Sequence, residues 1–276
     1  MRLALSVVFS SLAGYLIAAE SINFKSILLL FFGGYFMVGA SNTFNQLIEK
    51  DKDILMERTL NRPLPQKRIN SSQALIIGFL LSIFGVIFLL FLNFKTAVFG
   101  AVSIFLYVIL YTPLKRITPL SVFFGAIPGA IPYMLGWVAY TGSFGIEPGV
   151  LFSLQFFWQF PHFWALAWMF NDDYKKAGFK MLPTGKRDKA SAFLIIFYCI
   201  WTILISLLPM TKYTGKLNLS FAGGFFVLLC GISMLIFAFN LMKNRTMVAA
   251  KNLMYSSIFY LTSIQLIYIL DKYLSN

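Results

Sequence analysis

The chain has 276 residues and a formal net charge of +13, with 59% hydrophobic and 12% charged residues. Soluble domains carry about 45–50% apolar and about 25% charged residues, so the composition argues against a soluble enzyme, a disordered chain and a disulfide scaffold. What remains is a polytopic membrane protein of the all-α class. Runs such as 74–92 and 193–208 are unbroken apolar stretches, not the alternation of barrel strands.

Nine apolar segments follow in chain order, within one expected integral-membrane domain spanning 1–276. A bilayer crossing needs about 20 such residues. The first segment, 3–19, is short. A signal peptide would also be apolar there, but Arg2 alone supplies a positive lead, so a retained helix is expected. The second, 25–44, leads into a charged stretch reaching residue 70, and 71–92 and 96–114 come next. Segment 119–141 contains Pro128 and Pro132, and 148–170 contains His162, the single histidine. Segments 190–209 and 219–242 hold Cys199 and Cys230, which lack metal-type spacing, and 250–270 is the last.

With the N-terminus in the cytoplasm and nine alternating helices, the cytoplasmic side receives 18 of the 23 Lys and Arg residues. That asymmetry is a topology signal. It accounts for the positive charge without nucleic acid as a partner. It also places the charged loops on the cytoplasmic face of a membrane, expected to be the bacterial inner membrane. Seven of the ten acidic residues fall in two of those loops. Acidic residues contribute little to topology, so insertion does not explain their clustering.

The first cluster contains Asn45, Glu49, Asp51, Asp53 and Glu57, followed by Arg58, Arg62, Lys67 and Arg68. If the second helix continues past Asn45, then Asn45, Glu49 and Asp53 stack on one face at successive turns. Oxygen ligands in that pattern suit a hard divalent cation, and Mg²⁺ takes one or two carboxylates plus substrate phosphate oxygens. Arg geometry matches phosphate oxygens. A solvated loop with local ion pairs is the ordinary alternative. The second cluster, Asn171, Asp172 and Asp173, closes the sixth segment, with Tyr174, Lys180, Lys186 and Arg187 after it. A helix cap would explain those acids equally well. Lys115 and Arg116 sit in a third cytoplasmic turn, where phosphate binding and topology account for them alike. His162 lies about two turns before the second cluster; haem ligation, proton transfer, a substrate hydrogen bond and a satisfied buried histidine all remain open.

Several stretches between residues 41 and 183 fall in a familiar order. They are Asn45 to Pro63 with Met56-Glu-Arg58-Thr, Tyr111-Thr-Pro-Leu-Lys-Arg-Ile-Thr-Pro119, Gly125 to Pro132, Pro161-His-Phe-Trp164, and Asp173-Tyr-Lys-Lys-Ala-Gly178 through Met181-Leu-Pro183. Together they resemble the protohaem IX farnesyltransferases, a branch of the UbiA-type intramembrane prenyltransferases. The resemblance implies about nine transmembrane helices around a central cavity, with Mg²⁺ as cofactor and farnesyl diphosphate and haem B as substrates. It implies metal ligands among Asn45, Glu49, Asp51, Asp53, Asp172 and Asp173. The superfamily's Asn-x-x-x-Asp-x-x-x-Asp pattern has Glu49 at its centre here, so Glu49 and Asp51 both stand as the middle ligand. It gives catalytic roles to Asn45, Glu49, Asp53, Lys115 and Asp173. Substrate contacts would come from Arg58, Arg62, Arg116, His162, Tyr174 and Lys180. Haem A synthase or a terminal oxidase would be an assembly partner. Two other readings are a sibling prenyltransferase acting on a quinone precursor and a cation-coupled transporter. Transporter sites lie near the bilayer midplane, whereas these acids gather at one face.

Overall fold

The computed structural model describes residues 2–275, with the side chains of Arg2, Leu3 and Ser275 outside the description. All nine apolar segments are helical. They are α1 (Arg2–Ala18), α2 (Phe24–Asp53), α3 (Ser71–Leu90), α4 (Phe94–Phe105) continuing through a π-helical segment (Leu106–Tyr111) into α5 (Thr112–Ile117), α6 (Ser121–Thr141), α7 (Ile146–Met169), α9 (Lys189–Leu207), α10 (Phe221–Asn244) and α11 (Met247–Ser275). A short α8 (Asn171–Lys176) follows α7. Among the described residues, seven helical stretches are long and apolar enough to cross a membrane, fewer than the nine expected. The two that fall short have physical reasons. Helix α1 has 17 residues, at the lower limit of about 17–25 for a span. Helix α7 carries Glu147, Gln155, Gln159 and His162 along its 24 residues.

Helices α2, α3 and α4 pack together on one flank and α9, α10 and α11 on the other. Between them α6 packs on α1, α4 and α7, and α7 packs on α9 and α11. Water is absent from the hydrocarbon, so backbones approach through small residues and every backbone polar group needs an internal partner. At the crossing of α1 and α6, a Cβ on Gly136 would lie 1.9 Å from Ser11 O, and one on Gly14 would lie 2.2 Å from Tyr133 O. Helix α6 contains Pro128 and Pro132, which donate no backbone hydrogen bond. Pro132 leaves Pro128 O without its i+4 donor, and a side chain supplies one; two further α6 carbonyls also take side-chain bonds. Ser103 Oγ donates to Pro128 O at 3.1 Å, Gln155 Nε2 to Gly129 O at 3.0 Å and Gln159 Nε2 to Ala126 O at 2.9 Å. The glutamines that lower the apolarity of α7 thus tie it to the backbone of α6.

At the opposite end from the charged loops, α11 is fastened to α1. Lys272 Nζ donates to Ala19 O and, at 3.2 Å, to Leu16 O. Gln265 Nε2 donates to Ser10 Oγ at 2.9 Å. Gly136→Val should lower the thermal midpoint of the purified protein, because overpacking a tight contact costs about 1–3 kcal/mol. Gly149→Ala, where an added Cβ meets nothing within 4 Å, should leave it unchanged.

Candidate active site

Helix α2 does continue past Asn45, to Asp53. Its C-terminal end is closed by Thr59, whose hydroxyl donates to Asp53 O at 2.9 Å. Asn45, Glu49 and Asp53 therefore share one face, and all three are buried. They line a cavity of about 540 Å³, with further walls from the π-helical segment, α5, α7, α8 and the turns around them. Arg58, Arg62, Tyr107, Tyr111, Lys115 and Tyr174 complete its charged and hydroxylated end. Leu81, Phe163, Leu166 and Met181 supply apolar wall.

The buried charges are matched one to one. Glu49 Oε1 lies 2.6 Å from Lys115 Nζ, with side-chain exposures of 4% and 9%. Asn45 bridges that pair: its Nδ2 donates to Glu49 Oε2 at 2.7 Å, and its Oδ1 accepts from Lys115 Nζ at 3.0 Å. The Lys115 ammonium also faces the Tyr111 and Phe179 rings, at 4.6 and 5.6 Å from their centroids. Asp53 is fully buried and takes two hydrogen bonds from Arg62 Nη1, at 2.9 and 2.8 Å. Arg58 has no carboxylate in the cavity. Its guanidinium lies 5.4 Å from the Phe170 ring centroid and 5.5 Å from that of Tyr174, and it donates to Tyr174 Oη at 3.2 Å. Burial pushes the Tyr174 phenol above its usual pKa, so it stays a neutral hydroxyl.

Local backbone chemistry sets these positions. Pro113 has no N–H to donate, and the turns before it widen into the π-helical segment, with Thr112 Oγ1 donating to Tyr107 O at 2.8 Å. Both tyrosines of that segment line the cavity. Helix α8 ends at Lys176 with Ala177 as its cap, and Gly178 takes φ +75°, a left-handed conformation that favours glycine. The chain then turns so that Lys180 N donates to Lys115 O at 2.8 Å, which joins this loop to α5.

Among the described residues, the remaining sequence candidates do not line the cavity. Asp51 is exposed, on another face of α2 from Glu49. Asp172 is paired with Arg187 at 3.0 Å, and Asp173 with Lys176 at 3.3 Å. Arg116 and Lys180 are exposed and donate to backbone carbonyls of Ile48 and Ile117. His162 is turned towards α11: its Nδ1 lies 2.9 Å from Ser257 Oγ, and its ring stacks on Trp158 at 4.8 Å. The cavity also contains Asn42, Gln46 and Tyr107, which the motif reading passed over. The first two lie on the Asn45–Glu49 stripe by i+3 and i+4 spacing, and that periodicity was the available signal.

A tightly paired set of acids and bases at the polar end of an apolar chamber defines a site for an amphipathic substrate with an anionic head. The comparisons agree with that class. The UbiA prenyltransferase family model matches residues 7–264, and the chain belongs to this family. A relative from Christiangramia forsetii named protoheme IX farnesyltransferase is 57% identical over 274 residues, covering 99% of this chain and 91% of its own. A Flavobacterium psychrophilum relative of the same name is 56% identical over 275 residues, covering 99% and 92%. A solved structure reported for digeranylgeranylglyceryl phosphate synthase matches with TM-score 0.79 at 19% identity, covering 98% of this chain and 94% of that one. A UbiA homologue from Archaeoglobus fulgidus bound to DMAPP and Mg²⁺ matches at 0.70 and 14% identity, covering 95% and 96%.

Removing one partner of a buried ion pair costs about 3–5 kcal/mol, because the other charge is left alone. Lys115→Met should therefore destabilise the protein strongly in thermal unfolding. The double variant Glu49→Gln with Lys115→Met should be destabilised by less than the sum of its two single changes.

Proposed function

We propose that this chain transfers the farnesyl group of farnesyl diphosphate to a vinyl group of protohaem IX (haem B), giving haem O. One observation carries the reading: a buried acid–base face opens onto an apolar chamber in a chain whose near-full-length relatives are named protoheme IX farnesyltransferase. The charge distribution supports a site facing the cytoplasm of a bacterial inner membrane, with 18 of 23 basic residues on that side. Enzymes that consume haem O, haem A synthase and the terminal oxidases, are the proposed assembly partners.

The donor set fits Mg²⁺ that arrives with substrate. Asn45, Glu49 and Asp53 present oxygens on one face of α2, and Glu49 Oε1 has no hydrogen-bond partner beside its ion contact with Lys115. Among the described residues, no group of three or more His, Cys, Asp or Glu could by itself hold an ion. Phosphate oxygens would complete the shell, as is usual for this cation. The metal would supply Lewis-acid charge at the departing diphosphate oxygens. Asp173, on the adjacent α8, is the proposed ligand from the second acidic cluster, and to serve it would exchange Lys176 for the metal and turn into the cavity.

The residues of the chain then divide the work. Lys115, Arg62 and Arg58 neutralise the diphosphate as the allylic C–O bond breaks and its electron pair leaves with the oxygen. Preformed charge of this kind, in a site that excludes bulk water, is where such reactions gain most of their rate. Tyr107 and Phe163 line the cavity and would offer aromatic surface to the farnesyl cation, while the Tyr111 ring faces the Lys115 ammonium. The π electrons of the haem vinyl group form the new C–C bond to the farnesyl C1. The cation left next to the porphyrin ring is captured by one water, which loses a proton to give the hydroxyethylfarnesyl group.

Protein in nanodiscs with haem B, farnesyl diphosphate and Mg²⁺ should yield a haem heavier by a farnesyl group plus one water, and EDTA should abolish that product. Unchanged haem in folded protein overturns the acceptor assignment; a prenylated quinone precursor from the same protein would establish the sibling reaction. Asp53→Asn should lower turnover at least about a hundredfold while the protein still inserts, as expected for loss of a group that acts on developing charge.

A further inference from the structure

The reaction proposed above consumes one water, in a chamber that must otherwise be kept dry to protect a carbocation. That one water has to be stationed at the right carbon by the protein. Most polar side chains of the cavity are already engaged. Asn45, Glu49 and Lys115 hold one another, as do Asp53 and Arg62, and Arg58 and Tyr174. Thr43 also lines the cavity, but its hydroxyl donates to Gly39 O at 2.8 Å. Asn42 and Gln46 are different. Both line the cavity, both are half-buried, and neither carboxamide has a hydrogen-bond partner among the described residues.

The two amides stand one turn apart on the same face of α2. Cβ atoms at that spacing are about 5–6 Å apart, so both amides can reach one water from either side. A water inside a protein needs about two to four polar partners. Two amide oxygens accept both of its O–H bonds and leave an oxygen lone pair free. A phenol, such as those of Tyr35, Tyr107 and Tyr111, is the better donor and would occupy that lone pair instead. Position along the helix agrees. At about 1.5 Å per residue, Gln46 lies about 4.5 Å and Asn42 about 10.5 Å along the axis from Glu49, away from the charged turn. The vinyl carbon attached to the porphyrin lies about four bond lengths beyond a phosphorus held at Glu49, or about 6 Å, which falls between those two levels.

We propose that Asn42 and Gln46 hold the water that completes the reaction. The inference deepens the haem-farnesylation reading and rests on it. Bond formation between farnesyl C1 and the vinyl terminus leaves the cation on the carbon attached to the ring. The held water gives its lone pair to that carbon, and its surplus proton passes to an oxygen of the departed diphosphate. The hydroxyethylfarnesyl group results. Without a held water, the same cation loses a proton from the neighbouring CH₂ instead. The product is then an alkenylfarnesyl haem, lighter by one water.

The test is the mass of the haem extracted from nanodisc-embedded protein after reaction with haem B, farnesyl diphosphate and Mg²⁺. The native chain gives the hydrated product. Asn42→Leu and Gln46→Met each raise the ratio of dehydrated to hydrated product by about tenfold, the weight of one hydrogen bond. Thr43→Val, on the same wall but with its hydroxyl already engaged, leaves the ratio as it is. Gln46→Met nearly keeps the side chain's length and volume, so it decides the matter alone if Asn42→Leu unfolds. An unchanged ratio in folded Gln46→Met protein, even with less total product, overturns the assignment and leaves the reaction standing. No haem product from folded native protein overturns the reaction and this inference with it.

Discussion

Carboxylates buried at the end of a membrane-embedded cavity govern what surrounds them. Leaving water costs each ion several kcal/mol, and only close pairing with well-placed hydrogen bonds offsets that. Glu49 and Asp53 obtain their partners from different parts of the chain: Lys115 on α5 and Arg62 in the turn after α2. Each pair therefore fixes the position of an element as well as a charge. The turn after α2 folds back over Asp53, and α5 presents its lysine between Tyr111 and Phe179. Such pairs are poor devices for stability, since apolar residues of similar volume often do as well. Their worth lies in exchange. On the proposed reading, phosphate oxygens take over the cations and a metal takes over the carboxylates, so each group passes from one partner to another without being left bare.

A second constraint comes from the backbone. Two prolines in α6 remove donors in a region without water; Ser103 satisfies the carbonyl that Pro132 frees, and Gln155 and Gln159 of α7 bond two further carbonyls of α6. Helix α7 thereby becomes too polar to be recognised as a span by apolarity, although its inner face is buried. The same accounting applies to the π-helical segment, where Thr112 bonds back to Tyr107 O and the altered winding brings both tyrosines to the cavity. Irregular helix geometry is confined to places where a neighbour satisfies it, and one of those places is the wall of the site.

Helix positions and the Asn45–Glu49–Asp53 face were legible because both follow from periodicity: apolar runs of bilayer length, and polar residues one turn apart. Periodicity also separates Glu49 from Asp51, since residues two apart point to different sides of a helix, and the structure buries the first and exposes the second. Which base meets which acid was not legible. Lys115 and Glu49 are far apart in sequence, and Arg116 is as plausible a partner as Lys115 until the course of α5 is known. The second acidic cluster shows the same limit from the other direction. Its residue types suit a metal, yet Asp172 and Asp173 are paired with Arg187 and Lys176, while Tyr174 between cluster and loop is the one that enters the cavity. Composition identifies candidates, and only tertiary packing decides which way a short helix such as α8 turns its side chains.

The cavity's charge balance explains how one chamber serves two opposite demands. Glu49 and Asp53 cancel Lys115 and Arg62, and Arg58 is left over, its guanidinium held by the rings of Phe170 and Tyr174. An aromatic platform steadies a cation without neutralising it, because the attraction comes from the ring quadrupole and not from a counter-charge. On the proposed reading, that surplus positive charge attracts an anionic head group. Tyr107 and Tyr111 line that same charged end, and the Tyr111 ring already faces the Lys115 ammonium, so Phe163 is the aromatic ring of the apolar wall. On the proposed reading, its face stabilises a carbocation without offering it a nucleophile. On that reading the diphosphate leaves towards the basic groups of the charged end while the cation stays against the apolar wall, and the distance between them opposes recombination.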